Sequence, residues 1–172
     1  CVGFARADGL FDIEGTLIDT KPFPLDMRAK SLGAGEPIHH MRIRLTLDGD
    51  RWIRDVQVDV NDSPFSVCPE IASTYRQLIG LRVEAGFTIA VKRMFRGARG
   101  CTHLTELIPV IATTAMQTIW TRKKPPIDGD APSESRQVSP LDGCHALQRD
   151  GEVVRRYYRR ETSETKVKNP KD

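Results

Sequence analysis

The chain has 172 residues, of which 39% are hydrophobic and 28% are charged, and its formal net charge is +3. This length and apolar share suit one folded domain with a real core. No apolar run approaches the roughly 20 residues of a membrane-spanning helix, and the small basic excess is a poor signal for nucleic-acid binding. Since the N-terminus also lacks a signal pattern, we expect a cytoplasmic protein without membrane or nucleic-acid partners.

The first third of the chain alternates apolar and polar residues, as half-buried strands do. Residues 10–19 (LFDIEGTLID) predict a strand, and residues 20–36, rich in Pro, Gly and charge, predict a loop. Residues 41–60 alternate on both sides of the Asp-Gly-Asp turn at residues 48–50, which predicts an antiparallel hairpin. The inward residues of its first strand are Met41, Ile43, Leu45 and Leu47.

The pattern becomes helical after residue 63. A first helix is predicted with Cys68 as its N-cap and Pro69 at its first position, and Gly80 ends it.

Two further helices follow this one. One is predicted over residues 87–95, closed by Gly97, and the longest runs from about residue 102 to residue 120. Pro109 is expected to kink or break the long helix. The apolar face of the long helix comprises Leu104, Leu107, Ile108, Ile111, Ala112, Ala115 and Ile119.

The C-terminal quarter is less regular. Residues 121–140 predict a linker or a long surface loop, and the Asp-Gly pair at 150–151 predicts a second hairpin or a turn into an edge strand. Residues 161–172 are expected to be disordered. The chain is therefore predicted to be one α+β domain over residues 1–160, in which an antiparallel sheet carries three helices on one face, with a C-terminal β return.

The four cysteines are widely spaced and form no CxxC pair, so they are expected to be free thiols in a reducing compartment. Cys68 and Cys101 each stand immediately before a predicted helix, where the helix dipole favours the reactive thiolate. The alternative is that both pack as small hydrophobic residues. For this pair of cysteines the sequence favours neither interpretation over the other.

His103 lies two residues after Cys101, and the two side chains turn toward one point if Cys101 caps the helix. Glu106 lies on the same helix face as His103 and is predicted to orient its ring. The alternative is that Glu106 and His103 only satisfy the helix N-terminus.

Two further histidines, His39 and His40, precede the hairpin. In a strand they point to opposite faces, and His39 shares the core-facing parity of Met41. His39 is therefore the better site candidate. Cys144 and His145 form a second, weaker candidate pair.

Together these cysteines and histidines offer a mixed set of sulfur and nitrogen donors. Such a set suits zinc or an iron–sulfur cluster better than magnesium or calcium. The predicted metal ligands are His39, Cys68, Cys101 and His103, of which Cys101 and His103 are also the predicted catalytic residues. No dinucleotide-binding, P-loop, GxSxG or HExxH motif occurs.

Five groups of segments stand out along the chain: LFDIEGTLIDTKPF, GEPIHHM, RDVQV, RGCTHLTEL with ATTAMQT, and LDGCHALQRDGEVVRRYY. Together they resemble an uncharacterised bacterial family of domains of unknown function, DUF2889, across nearly the whole chain. The family usually has His-Asp before the strand methionine, where this chain has His39-His40. The resemblance implies no activity.

The order of elements also resembles the U-type iron–sulfur cluster scaffold family. In that family a Cys-Gly-Asp segment starts the hairpin strand, and two further cysteines open helices. The matching positions here are His39 and His40, then Cys68, then Cys101. This resemblance implies zinc or sulfur chemistry and a partner that is a sulfur donor or a metalloenzyme client.

The sequence thus favours a metal- or sulfur-handling accessory protein. One alternative is an enzyme with Cys101 as nucleophile and His103 or His39 as general base, acting on an acyl or thioester substrate. Another is a non-catalytic interaction module that docks through a basic strand at residues 155–160.

Overall fold

The computed structural model describes residues 1–122 and 141–157. The chain divides into two compact units, Cys1–Lys123 and Lys124–Asp172. The first two residues of the loop predicted at 121–140 belong to a helix. The rest of that loop and the tail at 161–172 lie outside the described residues, and the single-domain boundary stays a prediction.

The first unit contains six strands: β1 Val2–Ala5, β2 Phe11–Thr20, β3 Leu25–Asp26, β4 Ser31–Leu32, β5 Pro37–Leu47 and β6 Ile53–Asp62. Four of them form an antiparallel sheet at its centre, with the order β1-β2-β5-β6. The other two, β3 and β4, form a ribbon within the predicted loop at 20–36. The predicted strand and hairpin are confirmed, whereas β1 and the ribbon were not predicted.

The two faces of the sheet differ as the alternation predicts. Ile13, Ile43 and Leu45 are fully buried in the core. On the opposite face, Arg44 pairs with Glu14 of the neighbouring strand at 2.6 Å. One face is therefore available to helices and the other is solvated.

Helices cover the apolar face, which confirms the α+β prediction. They are a 3₁₀ helix at Cys68–Leu78, α1 at Phe87–Met94 and α2 at Thr102–Arg122, with a short 3₁₀ turn at Gly97–Arg99. The 3₁₀ helix packs against β6, α1 packs against α2, and α2 crosses β1, β2 and β5.

The start of the first helix corrects one expectation. Cys68 is the first helical residue and Val67 occupies the N-cap without a side-chain hydrogen bond. Because Val67 already has helical backbone angles, the helix begins one residue earlier than a Cys68 cap requires. The predicted capping role of Cys68 is wrong.

The long helix α2 runs without a break through Pro109. Its buried face agrees with the predicted one at Leu104, Ile108 and Ile111. None of the helices in residues 1–122 and 141–157 combines the length and apolar character that crossing a membrane requires.

The described part of the second unit contains a 3₁₀ turn at His145–Leu147 and a short helix, α3, at Glu152–Tyr157. The predicted β return is therefore wrong over these residues. The Arg155 N–H donates to the Gly151 carbonyl at 3.1 Å, so the Asp-Gly pair leads into a helical turn. Glu152 in its first turn and Arg155 in its last complement the helix dipole.

Candidate functional site

His39 and His103 lie in contact where the start of β5 meets the first turn of α2. Their ring centroids are 3.8 Å apart, with the ring planes tilted by 34°. The His39 side chain is only 13% exposed, which agrees with its predicted core-facing parity. The structure thus brings together two of the predicted site residues.

Asp19, at the end of β2, joins this pair. It lies opposite His39 in the strand register, and its Oδ2 is 3.4 Å from His39 Nδ1. Its other carboxylate oxygen pairs with the Lys21 ammonium. The hydrogen bond from Lys21, with help from His39, holds the pKa of Asp19 below its usual value despite some loss of solvent. Asp19 is therefore the anion of this site at neutral pH.

The pKa of His103 is lowered from its ordinary value. Burial is the main cause, because it disfavours the charged imidazolium, and the neighbouring His39 acts in the same direction. The negative charge of Asp19 opposes both effects. His103 is therefore held in its neutral form at neutral pH, and a neutral imidazole can accept a proton.

Glu106 does not orient His103 as predicted. Its carboxylate pairs with the Lys92 ammonium of α1 at 3.1 Å. The carboxylate that acts on His103 is that of Asp19, which lies far away in the sequence. Glu106 does not act on His103 because it pairs instead with Lys92 of the neighbouring helix.

The thiol of Cys101 faces the core. Its Sγ is 3.9 Å from the Sδ of Met41, a residue that is almost completely buried, and Cys101 packs against the hydrophobic cluster. Since Met41 and His39 are two residues apart on one strand face, the thiol and the histidine pair contact neighbouring positions of β5, roughly 7 Å apart. The packing interpretation accounts for these contacts, and a catalytic role of Cys101 stays a prediction.

Tyr75 fixes the backbone at the start of α2. Its hydroxyl accepts from the Cys101 N–H and donates to the Cys101 carbonyl, both at 2.9 Å, and lies 2.8 Å from the Thr105 hydroxyl. The ring is fully buried and stacks on Phe95 at 4.4 Å. Tyr75 therefore sets the position from which α2 presents His103.

Cys68 opens the 3₁₀ helix and is half-buried. The contacts described for the first unit do not connect its sulfur with His39, Cys101 or His103. Within residues 1–122 and 141–157, no group of three or more His, Cys, Asp or Glu side chains is arranged to hold a metal ion. The four-residue metal site stays a prediction.

The remaining candidates lie elsewhere. The ring of His40 approaches Asp62 of β6 at 3.7 Å, which agrees with its predicted position on the other strand face. Cys144 and His145 belong to the second unit, where Cys144 is exposed.

The sequence did not indicate Asp19, Lys21 or the anchoring role of Tyr75. Asp19 was given no role, although it shares the strand parity of the buried Ile13 and the pairing of β2 with β5 places it opposite His39. A correct register between these two strands would have identified it.

Comparison with known proteins identifies a family but no characterised relative. No curated protein and no solved structure matches the chain. Residues 1–117 match the family model described as protein of unknown function, DUF2889. That match covers the strands, the histidine pair and most of α2, and the chain therefore belongs to the DUF2889 family.

Proposed function

We propose that this domain is an acid–base enzyme whose reacting group is His103. The observation that carries the proposal is the contact chain Asp19–His39–His103, in which a carboxylate lies 3.4 Å from one imidazole and that imidazole contacts a second one. A carboxylate that orients an imidazole is a recurrent arrangement in proton-transfer sites. Here the oriented imidazole of His39 in turn packs against the His103 ring.

Each residue has a distinct role in this proposal. His103 accepts the proton, since its lowered pKa keeps it neutral at neutral pH. His39 positions the His103 ring, and Asp19 positions His39 and favours the imidazolium that forms.

The substrate class that we propose is an acyl ester or thioester. His103 would take a proton from water while the water oxygen bonds to the carbonyl carbon. The bond from that carbon to the departing oxygen or sulfur then breaks, and the proton on His103 passes to the leaving group. These reaction steps balance in atoms and protons, and they require no thiol nucleophile.

Turnover of p-nitrophenyl acetate and an acyl N-acetylcysteamine thioester tests this proposal. His103→Gln is expected to lower kcat/KM by about 100-fold or more, the usual contribution of a general base. His40→Gln is the matched control, because it removes an imidazole from the opposite strand face, and we expect little change. Equal turnover by the wild type and His103→Gln would refute the proposal.

Cys101→Ala separates the two enzyme mechanisms. In the acid–base proposal this variant retains activity, because the thiol is a packing group against Met41. Loss of turnover in Cys101→Ala, with trapping of an acyl-enzyme on the wild type, would instead identify Cys101 as the nucleophile.

Metal or sulfur handling is the second candidate. The adjacent imidazoles of His39 and His103 are nitrogen donors that such a function could use. Because the described residues hold no ready-made group of three ligands, metal binding would require these side chains to rearrange. Metal analysis of anaerobically purified protein tests this function. Retained zinc or iron that is lost in His103→Gln would support it, whereas equal metal content in both proteins would count against it.

A further inference from the structure

The segment before α2 carries an unusual concentration of positive charge. Lys92, Arg93, Arg96 and Arg99 are all exposed, and residues 85–105 include no acidic residue. We call residues 92–99 the basic segment. It joins the end of α1 to the start of α2 and ends four residues before His103.

The cations of this segment differ from most others in the first unit. Arg42, Arg44 and Arg54 each pair with a carboxylate at 2.6 Å or less. In the part of the chain that the structure describes, no carboxylate pairs with Arg93, Arg96 or Arg99. Only Lys92 of the basic segment has such a partner, Glu106.

The dipole of α1 explains the positions of only some of these cations. Lys92 and Arg93 lie in the last turn of α1, where cations are favourable. Arg99 donates to the Arg93 carbonyl at 2.8 Å, which brings its guanidinium to the same helix end and leaves further donors available. Arg96 lies beyond α1, and no contact within the first unit explains its charge.

The basic segment is also held firmly. Phe95 in its middle is buried and stacks on Tyr75. Gly100, just after it, lies so close to Phe95 that an added Cβ would be 2.6 Å from the Phe95 carbonyl oxygen. A fixed backbone lowers the entropy that a ligand must overcome to order its contacts.

We infer that the basic segment binds the phosphate groups of a small molecule. Three guanidinium groups offer the forked donor geometry that suits phosphate oxygens. Nucleic acid is a less suitable ligand. A protein that makes about 6–10 contacts to DNA phosphates needs more cations than the four of this segment. The basic segment precedes His103 in the sequence, but binding of the ligand does not depend on the proposed catalysis.

Calorimetric titration of the full chain with inorganic pyrophosphate and with ADP tests this inference. Arg93→Gln/Arg96→Gln is expected to weaken both affinities by about tenfold, because charge-assisted hydrogen bonds are lost. The control is Arg28→Gln/Arg76→Gln, which removes two exposed charges elsewhere and is expected to bind normally. Arg96→Glu, a single substitution at an exposed position, is also expected to weaken both affinities.

The two ligands distinguish the source of the phosphate. Equal affinities would identify the phosphates as the recognised group, and tighter binding of ADP would add a contact to the nucleoside; both results support the inference. No heat with either ligand at millimolar concentration would overturn it. Equal weakening in the control variant, or binding of duplex DNA in preference to both ligands, would also overturn it.

Discussion

At the residue scale, the hydroxyl of Tyr75 satisfies both backbone polar groups of Cys101. Helical periodicity can indicate that a residue faces the core, but not that the hydroxyl of a tyrosine such as Tyr75 has a polar role there. Such a contact joins residues 26 positions apart and depends on how two helices pack. No local pattern in the sequence indicates it.

Tyr75→Phe should therefore destabilise the protein by about 1–3 kcal/mol, the usual cost of leaving a buried donor without a partner. The Cys101 N–H loses its acceptor, whereas the Cys101 carbonyl keeps the Thr105 N–H as a donor. Urea unfolding measures this change. Tyr157→Phe is the matched control, because Tyr157 is 65% exposed, and its free energy of unfolding should barely change. An equal effect of the two substitutions would contradict the anchoring role of Tyr75.

The lowered pKa of His103 also predicts a pH dependence of stability. In the unfolded chain His103 binds a proton near its ordinary pKa of about 6.5, but in the folded protein it does so only at lower pH. Between these values the unfolded state holds more protons. Stability from this residue is therefore complete above about pH 6.5 and decreases as the pH falls through the lowered pKa.

Measuring the free energy of unfolding from pH 8 to pH 5 tests this dependence. His103→Gln should flatten the decrease below about pH 6.5, while the two profiles should run parallel at higher pH. If the stability of His103→Gln falls below about pH 6.5 as steeply as that of the wild type, His103 is not the group responsible.

At the element scale, the period of the hydrophobic pattern was the reliable signal. Period-two alternation predicted β2 and the β5–β6 hairpin, and helical spacing predicted α1 and α2. The four residues of β1 are too short for either period. The segment that forms α3 was predicted as a strand because an Asp-Gly turn signal preceded it, yet the same Asp-Gly pair leads into a helix.

A close contact holds α2 against the sheet. Gly15 of β2 lies beneath Ile111 of α2, so that an added Cβ would be 2.8 Å from the Ile111 side chain. The helix can approach the strand closely only because Gly15 has no side chain. This approach also determines where the first turn of α2 meets β5.

Gly15→Ala is expected to destabilise the protein by about 1–3 kcal/mol through overpacking. Gly33→Ala is the matched control, since its nearest neighbour would lie at 3.5 Å, an ordinary contact. Thermal unfolding compares the two variants, and adding Ile111→Val to Gly15→Ala should restore part of the loss. No difference between the alanine variants would refute the close approach.

At the scale of the whole molecule, the candidate site is a product of topology. Asp19, His39 and His103 come from β2, β5 and α2, and they meet because the register places Asp19 opposite His39 while α2 crosses both strands. The sequence identified the two histidines through strand parity and position at a helix start. It could not identify Asp19, because strand register depends on pairing between distant segments.

The same topology gives the two candidates at the start of α2 different contacts on β5. Cys101 and His103 both begin α2, but the thiol contacts Met41 while the ring contacts His39. The resemblance to iron–sulfur scaffolds implied that Cys68 and Cys101 converge. That convergence stays a prediction, because the order of helices alone does not determine where side chains point.

The central claim is that Asp19, His39 and His103 interact electrostatically as one group. NMR titration of the His103 ring protons tests it most directly. Since His39 lowers the pKa of His103 and Asp19 raises it, His39→Gln should raise this pKa and Asp19→Asn should lower it. A His103 pKa that neither substitution changes would contradict the claim.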